Sequence, residues 1–133
     1  MQKVFSIFSI ALLLVVFSQC ISDQRALNRR LVQEAAILNA ATPIMLNEHT
    51  RFDGASVTSN NRFQYHYTVL YTTNPDSLVN SSLQEFKEAV RILYFTSPEM
   101  AIFRENNVIV DWNFNDENGR TIRTVTIKPE DYQ

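Results

Sequence analysis

Apolar residues recur along this chain with three different spacings, and each spacing predicts a different element. Residues 4–17 form an apolar run, interrupted only by Ser6 and Ser9, behind the cationic start Met1-Gln2-Lys3. It closes on Ser18-Gln19-Cys20, and the chain turns polar at Ser22-Asp23. A run of this length ending in small residues fits a secretory signal, whereas a spanning helix needs about 20 apolar residues. The next stretch repeats every third or fourth residue: Leu27, Leu31, Ala35 and Leu38 predict a helix capped by Ser22-Asp23, with Arg25, Arg29, Arg30 and Gln33 facing away. It should end near Ala41, because Thr42 precedes Pro43.

Strict alternation follows. Arg51 to Thr58 predicts a strand, Ser59-Asn60-Asn61 a turn, and Arg62 to Thr72 a partner strand in which Phe63, Tyr65, Tyr67, Val69 and Tyr71 alternate with Gln64, His66 and Thr68. A three-residue turn sets Val57 opposite Phe63 and Ala55 opposite Tyr65, and Gly54 marks a bulge. Asn74-Pro75-Asp76 breaks the strand, and Ser82-Leu83-Gln84-Glu85 reads as a capping box opening a helix with Leu83, Phe86, Val90 and Leu93 on one face. Ser97-Pro98-Glu99 restarts a shorter helix that Asn106-Asn107 ends. Val108 to Phe114 and Thr121 to Lys128 flank Asn118-Gly119, a type I′ hairpin signal. That register pairs Glu117 with Arg120, Trp112 with Val125 and Val110 with Ile127, and puts Asp111 with Thr126 and Asn113 with Thr124 on the outer face. The sum is an α+β fold of order α-β-β-α(α)-β-β: an antiparallel four-stranded sheet of two hairpins with helices on one face.

Composition adds boundaries. Residues 1–20 form the signal, and residues 21–133 suffice for a single domain. Twelve basic and fourteen acidic residues give a formal charge of −2 with signs interspersed, so no basic footprint for nucleic acid and no polybasic patch for anionic lipid stands out. Cys20 is the only cysteine, so the mature domain rests on its core without disulfides. Three processing outcomes compete at this point: simple cleavage to a free product, lipidation of Cys20 as in bacterial lipoproteins, or retention of the uncleaved signal as an anchor. These place the protein outside the cytoplasm, in the periplasm, attached to the bacterial envelope, or secreted.

Candidate chemistry is sparse. Glu48, His49, Arg51 and Asp53 gather four ionisable groups at the start of the first strand. Arg51 and Asp53, two apart, share a strand face where they can pair or hold an anion, but the spacing supplies too few ligands for a metal. His66 falls on the polar face without a nucleophile motif beside it and reads as solvated. Tyr65 and Tyr67 put rings into the core with hydroxyls at its rim, and can also stack against a ligand. No phosphate loop, nucleophile elbow or zinc signature occurs, and no cofactor is implied.

The strings Pro43-Ile44-Met45, Thr50-Arg51-Phe52-Asp53, Tyr65-His66-Tyr67-Thr68, Ser97-Pro98-Glu99-Met100 and Asp116-Glu117-Asn118-Gly119 resemble a group of small exported bacterial proteins of uncharacterised function. The resemblance implies an envelope location and this fold, and no activity. Members carry two cysteines where this chain has Phe95 and Tyr132, which implies an aromatic contact in place of a disulfide. The expected function is that of a non-enzymatic binding or accessory domain whose partner is another envelope protein, with Arg51, Asp53, Tyr65 and Tyr67 as candidate binding residues. The alternatives are a small hydrolase or ligand carrier using Arg51, Asp53 and His66, and an inhibitor or immunity protein.

Overall fold

The computed structural model describes residues 23–131, so the signal, Cys20, Ser22 and Tyr132 lie outside the described residues. Helix α1 covers residues 23–39 and buries Leu27, Leu31 and Ala35, the face its period predicts. Strands β1 (Ile44–Met45), β2 (Thr50–Val57) and β3 (Phe63–Val69) follow, then helix α2 (Pro75–Thr96), a 3-10 turn (Pro98–Met100), helix α3 (Ala101–Glu105), and strands β4 (Val110–Asn115) and β5 (Thr121–Ile127). A 3-10 turn at Pro129–Asp131 closes the described chain.

The α+β class and the helix-covered sheet hold, but the sheet has five strands in the order β1-β2-β3-β4-β5 and is mixed. The central pair β3–β4 is parallel, not antiparallel as expected. Its cause is the connection: α2 and α3 carry the chain back along the sheet, so β4 starts beside the start of β3, as a helical crossover requires. The fifth strand, β1, is two residues long and too short to leave an alternating signature.

Both hairpins form in the expected registers. Ala55 faces Tyr65 and Val57 faces Phe63 across β2–β3, and Trp112 faces Val125 across β4–β5. Two local expectations fail. The closing turn is not a two-residue I′ turn with Glu117 opposite Arg120. Asp116 accepts hydrogen bonds at its side chain from the Asn118 and Arg120 amides, which stabilises a longer turn with Gly119 at φ +82°, and the register shifts by one after Phe114. Helix α2 starts at Pro75 instead of at the Ser82 box: Asn74 accepts from the Ser77 amide and Pro75 takes the first turn, while the Ser82 hydroxyl donates back to the Leu78 carbonyl.

Buried side chains of all layers form one core. Phe63 and Tyr65 of β3 and Val110 and Trp112 of β4 meet Leu31 and Ala35 of α1, Val90 and Tyr94 of α2, and Phe103 of α3. On α2 the buried face runs through Val79, Val90 and Tyr94 and leaves Leu93 exposed, the stripe passing from Val90 to the residue four positions on and not three.

Candidate functional site

The bulge at Gly54 decides where the candidate residues go. Pairing steps from Phe52–Tyr67 to Gly54–His66, so one extra β2 residue sits opposite β3 and the alternation of β2 changes sides. Ala55 packs in the core and Phe52 lies 5.3 Å from the Tyr67 ring, whereas Arg51 and Asp53 project from the opposite, open face. Gly54 is at φ +138°, and a Cβ there would meet the Asn39 amide oxygen at 2.5 Å. Asn39, at the end of α1, uses that close approach: its amide donates to the Ala55 carbonyl at 2.9 Å and accepts from the Ala55 amide at 2.7 Å, as a neighbouring strand would.

On the open face the polar side chains bond to one another. Arg51 Nε lies 2.5 Å from Asp53, which also accepts from the Thr68 hydroxyl. His66 Nε2 sits 2.7 Å from Ser56 Oγ. Asp111 is the hub: although outward in register it is 2 % exposed, because Arg62 (2.5 and 2.8 Å), Gln64 (3.1 Å) and Thr126 (2.6 Å) close over its carboxylate. Burial pushes its pKa upward, but the hydrogen bonds from Arg62, Thr126 and Gln64 outweigh it and hold the carboxyl below its ordinary value.

The covered face is an aromatic double row. Tyr65 stacks on Trp112 with centroids 5.3 Å apart, and Tyr67 on Phe114 at 5.1 Å. Burial raises both phenols, Tyr67 to about 12 and Tyr65 further. The four candidate binding residues are thus divided between the two faces of the sheet, and the structure does not bring them together. Among them Tyr67 lines a cavity.

That cavity, about 290 Å³, is a groove between the first half of α2 and the far end of β2 and β3. Leu78, Leu83 and Phe86 of α2 form one wall, Tyr67, Val69 and Phe114 the floor, and Leu46 the lip. Ile44, Met45 and Leu46 are exposed beside it. The α2 wall is pinned by the β4–β5 hairpin: Arg120 reaches Asp76 at 2.5 Å, and Arg123 donates to Asn80 at 3.0 Å. Sequence reading missed this groove, although Asn74-Pro75-Asp76 carried the signal: read as a cap, it extends α2 over Leu78. Among the described residues no cluster of three or more His, Cys, Asp or Glu could hold a metal, and no helix is long and apolar enough to cross a membrane.

A mixed sheet with its helices on one side is a fold shared with solved proteins. A Pseudomonas aeruginosa protein described as secreted superposes with a TM-score of 0.71 at 14 % identity, over 83 % of this chain and 96 % of its own. Two pilotins of type 2 secretion systems share the fold as well. EpsS of Vibrio vulnificus has a TM-score of 0.57 at 14 % identity over 84 % of this chain and 96 % of its own. AspS of Vibrio cholerae has 0.59 at 13 % identity over 84 % of this chain and 97 % of its own. Neither a family model nor a curated protein sequence matches the chain.

Proposed function

We propose that the mature protein is an exported accessory factor of the bacterial envelope, of the pilotin kind, that holds an apolar segment of another envelope protein in the groove between α2 and the sheet. The observation that carries this reading is the groove on a fold shared with two type 2 secretion pilotins. At about 290 Å³ it is below the usual range for a small-molecule pocket and suits a few protruding side chains. The signal read in residues 1–20 supports the location, and a lipid on Cys20 would tether it there. The hydrolase or ligand-carrier reading fits less well, since Arg51, Asp53 and His66 stand on the face opposite to the tyrosines.

A photo-cross-linking residue at Leu46 or Leu78, expressed in native cells, should trap one envelope protein, whose peptide map should show an apolar contact segment. Leu78→Asp should weaken the purified interaction at least tenfold by charging the wall, while Thr124→Lys, at an exposed position of the open face, should leave it within twofold. Trapping from a cross-linker at position 124 and not from one at position 78 would overturn the groove, and a secreted enzyme as the trapped protein would favour the inhibitor reading.

A further inference from the structure

At the end of β3 away from the groove, α1 meets the β2–β3 turn across a wide-open surface hollow of about 790 Å³ lined by Gln24, Arg25, Asn28, Arg29, Ser59 and Asn60. Its walls are fixed. Asn61, 7 % exposed and at φ 63°, donates to the Gln24 carbonyl and side chain at 3.0 Å and accepts from Asn28 at 2.8 Å, locking the turn onto the helix. No carboxylate lines the cleft, and among the described residues no ion pair engages Arg25, Arg29 or Arg30. Arg29 follows Arg25 by four residues on the same helix face, where like charges repel. An anion in the cleft offsets that cost, and the Ser59 hydroxyl and Asn60 amide add donors.

We infer that this cleft receives the phosphate of an anionic phospholipid headgroup. A membrane is favoured by the sequence separation: Cys20 precedes Asp23 by three residues, which can span at most about 10 Å, so a lipid on Cys20 would keep this cleft near the headgroups. The interspersed signs along the sequence hide the site, which the fold assembles from one helix face and one turn.

The test couples the mature chain through Cys20, its only cysteine, to a maleimide lipid in vesicles and follows amide hydrogen exchange. Residues 24–30 and 59–62 should be protected on phosphatidylglycerol vesicles and not on phosphatidylcholine. High salt should remove the protection, and Arg25→Gln with Arg29→Gln should lower occupancy about fivefold per arginine. Equal protection on both vesicles, or protection surviving the double substitution, overturns the inference. The same protection from inorganic phosphate on phosphatidylcholine overturns the lipid assignment. None of these readouts involves the groove, so failure here leaves the proposed function standing.

Discussion

On β3 the odd-numbered residues Phe63, Tyr65 and Tyr67 stack under the helices, while the even-numbered Gln64, His66 and Thr68 face outward into hydrogen bonds. One strand therefore serves two kinds of stability. The covered side is held by buried area and ring contacts, which are insensitive to pH over the ordinary range and tolerate small displacements. The open side is held by directional contacts around Asp111, which depend on a charge. The comparison teaches that an outward residue on an uncovered sheet can still be buried when its neighbours on adjacent strands fold over it.

Removing Trp112 should break the covered side most severely. It is 3 % exposed and stacks on Tyr65, so Trp112→Ala should cost about 3–5 kcal/mol, read as a lowered urea midpoint with unchanged slope. Asp111→Ala should cost about 2–3 kcal/mol, since it strands the Arg62, Gln64 and Thr126 donors, and Arg62, partly exposed, recovers some solvation. A loss equal to that of Trp112→Ala would put the two faces on the same footing. The pH dependence separates them further. The folded state holds the Asp111 carboxyl below its ordinary value, so this contribution is present above about pH 4 and is lost as pH falls through the folded value. Urea titrations from pH 6 to pH 3 should show a fall that is smaller in Asp111→Asn and unchanged in Trp112→Phe. Ser56→Ala should move the midpoint least, by no more than about 0.5 kcal/mol, because its bond to His66 is exposed.

Local chemistry was legible in the sequence, and the joining of distant parts was not. Ala55 opposite Tyr65 and Trp112 opposite Val125 follow from alternation and turn length within a few residues. The parallel β3–β4 pairing brings Gln64 beside Asp111 across 47 positions, and no local pattern encodes it. The cover over Asp111 was hidden for the same reason. The pairing of Arg51 with Asp53 was legible from their spacing, but their separation from Tyr65 and Tyr67 was not, because it turns on the single extra residue at the Gly54 bulge. The groove was lost with the start of α2, where Asn74-Pro75 serves as a helix cap and was read as a break.

The parallel pairing also divides the molecule along the strands. Since β3 and β4 run the same way, the loops that follow them, residues 70–74 and 116–120, emerge together beside the groove, and Glu117 accepts from the Tyr71 amide to join them. The segments leading into the same two strands, around Asn61 and Asn107, gather at the other end with the start of α1. Insertions and substitutions in one pair of loops can therefore reshape the end that holds the groove without disturbing the opposite end, so the two ends of the sheet are free to vary independently.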